Sequence, residues 1–315
     1  MNTAGLVRHA SVLVILAMCS ACGGSTIAPS SAAFDGRYAH SSASLNVVPQ
    51  PSGSVLDRTG QSKTFEYIVD DYGSYATIFD YPKSDKRIGK IENVGGQACT
   101  NALYGYGKKT FWIVAGSNQI TEYAVPKKPI KTLSVPSNEM PSSCALDDSG
   151  DLLVGILDGV HSGDIVIFKN ASGTGTDIST PLAREYFEGY DNHGNLFFDG
   201  LDHSYAPQLD EMPKGTTTIK TITTSNTIKL PGSIQWDGTY LTVTDMNASA
   251  MYRYAINGTK AKLMGTVSLS GAGECTQTWI AMGVVFCADA GNDNGEIFRY
   301  PASFATRRRC KARRA

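Results

Sequence analysis

Long apolar runs, bulk charge and helical periodicity are all scarce in this sequence. Its 315 residues contain no apolar stretch of the roughly 18 residues a membrane-spanning helix needs. The formal net charge is -1, so no bulk charge draws the chain to nucleic acid or to an acidic surface. Beyond Cys22 there is no C-x-x-C pair, which removes the usual zinc-site spacings. No G-x-S-x-G is present, and none of His161, His193 or His203 falls in a recognisable nucleophile motif, which argues against a hydrolytic triad. No stretch carries a sustained apolar stripe at helical spacing. What remains is a chain of 42% hydrophobic residues, 32 glycines and 13 prolines, a composition rich in turn formers.

The N-terminus carries its own pattern. Arg8 and His9 precede a nine-residue apolar run, Ala10 to Met18. Small residues and cysteines follow, from Cys19 to Ser25. Short polar, apolar and small-residue regions in that order predict an export signal over residues 1–21. The segment looks like the lipobox of bacterial lipoproteins, in which a small residue precedes the lipidated cysteine. Cys22, after Ala21, fits it best. Cys19 stands three positions earlier, where that pattern prefers leucine, and is the alternative lipidation site. Residues 22–60 are rich in Ser, Ala and Pro and read as a tether, part of which could return to the folded domain as a strand. The expected location is the bacterial cell envelope, on the periplasmic face or the cell surface, with the lipid as the membrane contact.

From about Lys63 the chain repeats itself. Runs of β character stand at Phe65, Thr110, Asp151, Asn195, Tyr240 and Gly283, and their centres recur 40 to 45 residues apart. Several are preceded by a turn built on Asp and Gly, as in Asp147-Asp-Ser-Gly150, Asp191-Asn-His-Gly194 and Asp237-Gly238. Each is followed by a strand-like run such as Asn118–Pro126 or Gly295–Pro301, and usually by a more polar fourth run. The prediction over residues 61–302 is an all-β, six-bladed β-propeller of four-stranded antiparallel blades. The sixth unit lacks a fourth run after Pro301, so Ser44–Val48 is expected to close the ring. The basic end, residues 303–315, reads as a solvated tail.

The alternation of Asp-x-x-Gly-Asn-Leu-Phe hairpins with Ile-Phe-x-Tyr-Pro strands resembles NHL-type and SMP-30-like six-bladed propellers. More closely, Cys144–Val154, Gly189–Gly200 and Gly232–Val243 look like motifs of a group of uncharacterised bacterial propeller lipoproteins. The resemblance covers about Lys63 to Pro301. It implies a fold more than an activity, because propellers host many functions. SMP-30-like lactonases hold a divalent metal with carboxylates and Asn from different blades. Their ligand motifs do not transfer residue by residue to this chain.

Acidic residues near inner-strand ends are the first candidates for chemistry: Glu188, Asp199, Asp245, Glu274 and Asp289, with Asp70, Asp71 and Asp202 in comparable loops. Two or three converging would suit a hard cation such as calcium. The competing reading has Asp and Asn capping turns. No cofactor is otherwise implied. Cys99 and Cys144 occupy like places in neighbouring repeats, and Cys275 and Cys287 lie on the two arms of one hairpin. These are the expected disulfides, with Cys310 left over. Trp112, Trp236 and Trp279 read as core or as channel-mouth aromatics. The leading expectation is a monomeric envelope scaffold that binds an unknown protein, peptide or glycan. The alternatives are a metal-dependent lactonase-like hydrolase and a purely structural envelope protein.

Overall fold

Val, Ile, Thr, Phe and Tyr dominate the repeated runs, and such residues favour a pleated, half-buried surface. The computed structural model describes residues 10–15, 64–70, 75–81, 87–100, 110–115, 118–136, 140–157, 163–281, 283–289 and 294–300. Over these the chain is all-β with two single-turn 3-10 helices, at Lys169–Ala171 and Met246–Ala248. No helix among them is long and apolar enough to cross a membrane.

The strands form successive antiparallel meanders. The first comprises β1 (Ala10–Ile15), β2 (Thr64–Asp70), β3 (Tyr75–Tyr81) and β4 (Arg87–Glu92). The second comprises β5 (Ala98–Cys99), β6 (Thr110–Val114), β7 (Gln119–Ala124) and β8 (Lys128–Ser134). Next come β9 (Pro141–Leu146), β10 (Leu152–Ile156), β11 (Asp164–Phe168) and β12 (Thr176–Ser179). An eight-stranded sheet follows, made of two meanders. One is β13 (Leu182–Tyr190), β14 (Leu196–Asp202), β15 (Pro207–Met212) and β16 (Lys220–Thr224). The other is β17 (Pro231–Trp236), β18 (Leu241–Asp245), β19 (Ala250–Asn257) and β20 (Lys260–Ser268). Their outer strands join through a short parallel pairing, Thr223 opposite Lys260 and Thr224 opposite Ala261. The last sheet has three strands, β21 (Cys275–Ala281), β22 (Val284–Asp289) and β23 (Asn294–Arg299).

The Asp-Gly turns act as the spacing suggests. Asp147 Oδ1 accepts the Asp151 N–H, and Asp191 Oδ1 accepts the N–H groups of His193 and Asn195. Gly150 (φ +90°) and Gly194 (φ +81°) take the left-handed backbone that closes these turns, a conformation costly for any other residue.

The first strands are neighbours in chain order, β1 beside β5, β5 beside β9, and so on to β21, which returns to β1. Burial follows that ring. One apolar cluster joins Trp279 and Phe286 of the last meander to Tyr67 and Phe79 of the first and Phe111 of the second. Others lie between the second and third meanders, the third and fourth, the fourth and fifth, and the fifth and last. One sheet cannot cover both its faces alone, so each face is buried by the next sheet. β8, at an outer edge, is exposed along most of its length and carries lysines, which suits an unpaired edge.

In this structure of the whole chain the apolar segment Ala10–Ile15 pairs with β2, Ala10 opposite Asp70 through Ile15 opposite Phe65. Ser44–Val48, expected to close the ring, lies outside the described residues, as do Cys19, Cys22, Cys310 and residues 303–315.

Candidate functional site

The first strands of the later meanders run toward one end of the central channel, and there they leave a cavity of about 70 Å³. It is lined from five meanders, by residues 97–100, 144–148, 188–191, 233–236 and 277–279. Space of this size holds about five water-sized groups.

Its wall is polar, and enclosed behind it several side-chain atoms of the lining residues have no partner. Glu188 Oε1 and Oε2, Gln235 Nε2, Trp236 Nε1, Gln277 Oε1 and Trp279 Nε1 are all buried without a hydrogen bond. Buried polar groups are paired in the great majority of cases, and each orphan costs about 1–3 kcal/mol. The glutamines are held so that their free ends are defined. Gln235 Oε1 accepts the Ile280 N–H (2.8 Å), which leaves its amide nitrogen to donate. Gln277 Nε2 donates to Ala98 O (3.0 Å) and Gln97 Oε1 (3.3 Å), which leaves its oxygen to accept. Gln97 Nε2 in turn donates to Tyr186 O across the channel (3.3 Å).

Glu188 belongs to a buried trio of carboxyls with Glu185 and Asp199. Ser143 Oγ donates to Glu185 Oε2 (3.2 Å), linking the third meander to the fourth. Gly155 leaves room for this contact, because a Cβ there would collide with Glu185 Oε2 and Ser143 Oγ. Burial pushes the Glu188 carboxyl up to about 7, and Glu185 and Asp199 lie well above the usual carboxylate range for the same reason. Mutual repulsion raises Glu185 and Asp199 further, while Ser143, Glu185 and the Gly155 N–H beside Glu188, and the Phe187 N–H beside Asp199, only partly offset burial. Two of these groups share a proton more readily than both ionise.

Of the five carboxylates expected at a channel mouth, the structure brings Glu188 and Asp199 together. The others sit elsewhere. Asp245 is fully buried at the end of β18, and its oxygens accept the N–H groups of Lys229 (2.9 Å), Leu230 (3.3 Å) and Ala248 (3.1 Å). Asp289, at the end of β22, accepts from Gly273 (2.8 Å) and Glu274 (2.7 Å). Glu274 is half-buried beside it, its carboxyl raised by burial and then by Asp289. These three occupy the channel end opposite the cavity, where first strands begin and second strands finish. Asp202 holds a hairpin, accepting from Ser204 and Ala206. The side chains of Asp70 and Asp71 lie outside the described residues. Among the described residues no three His, Cys, Asp or Glu side chains are disposed to hold a metal ion.

Sequence reasoning missed Glu185, Ser143 and the three glutamines. The glutamines had a signal, since Gln235-Trp236 and Gln277-Thr-Trp279 stand at matching places in two first strands. Glu185 had none, because Glu185 and Glu188 should face opposite sides of an even strand. A register shift between Glu185 and Phe187 turns both toward the same cluster.

Both expected disulfides are present. Cys99–Cys144 (Cα–Cα 5.7 Å) ties two first strands in the cavity wall, and Cys275–Cys287 (Cα–Cα 5.5 Å) ties the arms of the last hairpin. A third tie joins the fifth meander to the last. Arg253 pairs with Asp237 (2.6 Å), Tyr300 Oη also donates to Asp237, and Arg253 lies over the Tyr240 and Tyr300 rings.

No protein-family model matches the chain, and no curated protein sequence does. Solved structures are similar to it. A luciferin-regenerating enzyme has a TM-score of 0.56 at 12% identity, covering 79% of this chain and 90% of that one. Virginiamycin B lyase from Staphylococcus aureus has a TM-score of 0.50 at 12% identity, over 80% and 96%. A protein of unknown function from Bacteroides caccae has a TM-score of 0.50 at 10% identity, over 69% and 79%. Likeness at such identity speaks to architecture alone, and these neighbours share a propeller-type fold with this chain.

Proposed function

We propose that this chain is a six-bladed β-propeller, exported and lipid-anchored through Cys22, that binds a small polar ligand in its central channel. The observation that carries the reading is the polar cavity at one end of the channel, to which five meanders contribute side chains, among them Gln97, Asp147, Glu188, Gln235 and Gln277. A small polar ligand seated there meets hydrogen-bonding groups from several meanders at once, the arrangement that fixes orientation in ligand pockets. The end group of a glycan or a peptide is the size that fits. Six meanders about one axis support the blade count, with the tether supplying the strand that the last meander lacks. Cleavage before Cys22 would also remove β1, and the edge of β2 would then need a new partner from residues 22–60.

The lactonase-like alternative needs carboxylates from several blades around one ion. Here Glu188 lies near the end of a first strand, β13, whereas Asp245, Glu274 and Asp289 lie where β17 and β21 begin, and Asp245 and Asp289 are occupied by backbone N–H groups. That donor set favours a binding module.

The test is a thermal-shift screen of the mature protein against monosaccharides, amino acids and dipeptides. At least one class is expected to raise the melting temperature, and Gln235→Leu with Gln277→Leu should abolish the rise. A screen in which nothing stabilises the wild type, or in which the double variant responds equally, overturns the reading. Mass spectrometry of the membrane-extracted protein tests the anchor, which requires an N-terminal diacylglycerol on Cys22.

A further inference from the structure

Away from the channel, the outer edges of the first two meanders expose apolar side chains at matching places. Between β3 and β4, Ile78 lies opposite Gly89 and Phe79 opposite Arg87, so Ile88 is the extra residue of a bulge. Between β7 and β8, Glu122 lies opposite Lys131 and Tyr123 opposite Pro129, so Ile130 is the extra residue there. A bulge re-aims the side chain it carries, and here it leaves Ile88 46% and Ile130 51% exposed.

The charge around these isoleucines is mostly of one sign. Arg87, Lys127 and Lys128 are exposed, and among the described residues none of them has an ion pair. Lys90 and Lys131 add two more basic groups, partly answered by Glu92 (3.3 Å) and Glu122 (3.8 Å). Arg87 opens β4 and Lys128 opens β8, so both stand at the same end of neighbouring meanders. The turn from β7 to β8 joins the two edges. Tyr67 of β2 donates its hydroxyl to Pro126 O (2.8 Å), and Lys127 Nζ reaches β4, 3.8 Å from where a Cβ on Gly89 would stand. Protection of a sheet edge calls for a lysine or two, not for isoleucines among them. The outer strand of the third meander shows the difference. β12 pairs with β11 in unbroken register, carries Asp177 and no basic residue, and exposes no large apolar side chain. Lys169, before it, is held by Asp151 (2.6 Å).

Basic groups beside exposed isoleucines match a surface that is anionic outside and apolar just beneath. A soluble polyanion engages the charges alone, whereas a bilayer interface engages both. We infer that the adjoining outer edges of the first two meanders dock on an anionic lipid bilayer. Ile88 and Ile130 enter the headgroup boundary, and Arg87, Lys127 and Lys128 meet the lipid phosphates. The inference depends neither on the channel nor on lipidation of Cys22.

Co-sedimentation with vesicles tests it on the mature protein with Cys22→Ser, which carries no lipid and keeps the basic C-terminal tail. Phosphatidylcholine vesicles containing about one-third phosphatidylglycerol should bind the protein at least about tenfold more tightly than pure phosphatidylcholine. A basic residue near an anionic surface contributes about fivefold, so Arg87→Gln with Lys127→Gln and Lys128→Gln should weaken binding on the order of 100-fold. Ile88→Ser with Ile130→Ser should weaken it roughly tenfold. Met264→Ser is the control and should leave binding unchanged. Met264 is also the extra residue of a bulge and 45% exposed, but it stands in β20, on the fifth meander. All the substituted side chains are at the surface, so the variants should melt with the parent protein. If anionic vesicles are not preferred, the inference falls. If the triple variant binds as the parent does, the tail holds the vesicles and the inference falls. If the triple variant loses binding and the isoleucine pair does not, the edges recognise polyanions in general and bilayer docking falls. If Met264→Ser weakens binding as much as the isoleucine pair, the contact is not made by these two edges and the inference falls as well.

Discussion

The two ends of the channel bury carboxylates equally and treat them differently. At one end Asp245 and Asp289 are wholly enclosed, and backbone N–H groups meet their oxygens. At the other, Glu188 is almost as buried, and neither of its oxygens has a well-formed hydrogen bond. Burial is the same at both ends, so burial does not mark a binding site. The difference lies in whether the enclosed charge already has its hydrogen bonds. Asp245 and Asp289 pin the entry of a first strand to the exit of a second, whereas Glu188 packs against two further carboxyls, Glu185 and Asp199.

The sharpest way to break this comparison is to remove a satisfied carboxylate. Asp245→Ala leaves the N–H groups of Lys229, Leu230 and Ala248 without their acceptor. At about 1–3 kcal/mol for each of the three orphans, the expected loss is roughly 3–9 kcal/mol. Urea denaturation measures it. A loss under about 1 kcal/mol would mean that the two ends are not energetically distinct.

The disulfides extend the contrast, because one lies at each end. Cys99–Cys144 spans 45 residues of sequence and Cys275–Cys287 spans 12. Loop-closure entropy then gives about 4 kcal/mol for the first and about 3 kcal/mol for the second. Paired Cys→Ala variants, compared by denaturation under oxidising conditions, should fall in that order. Removing Cys99–Cys144 should also loosen the cavity wall and weaken ligand binding, while removing Cys275–Cys287 should not.

Stability against pH comes next in size. The Glu188 carboxyl is raised from 4.5 to about 7, and Glu66, buried in β2, to about 8. A raised folded value means that the native state holds its proton after the unfolded chain has lost it. The stabilisation is therefore complete below about pH 4.5 and is lost as pH climbs through about 7, then 8. For Glu188 the span corresponds to about 3 kcal/mol. Denaturant midpoints measured from pH 4.5 to 8.5 should fall monotonically, and Glu188→Gln should flatten the part below pH 7. A midpoint that rises over this range would show that the trio is stabilised as anions, the reverse of what burial of its carboxyls requires.

How much of this could be read from residues alone follows the same division. The meanders and both disulfides were legible because turns and strands are local, and a 40 to 45 residue period repeats them. Asp245 and Asp289 were visible as acids, but their capping role depends on N–H groups 15 or 16 residues away in sequence. Glu188 was visible, while Glu185 was hidden by the register shift in β13. The polar ring was least legible of all. Gln97 and Gln277 meet across 180 residues, and no spacing rule pairs them. The apolar run Ala10–Ile15 shows the opposite case, a segment whose composition suits an export signal and an inner strand equally.

The smallest expected effect discriminates best. At pH 5 the Glu188 carboxyl is below its raised titration point of about 7 and therefore neutral. Glu188→Gln then replaces one uncharged hydrogen-bonding group by another of the same shape, and stability should stay within about 1 kcal/mol of the wild type. Asp245→Asn at the same pH removes an acceptor oxygen and sets an NH2 group against backbone donors, which should cost several times more. Both substitutions are Asp or Glu to amide, at positions almost equally buried, so polarity and volume are matched. A ratio near one would mean that the cavity carboxyl is as structurally committed as the one that pins β17 to β18. A ratio well above one shows that Glu188 is not committed to holding strands together as Asp245 is.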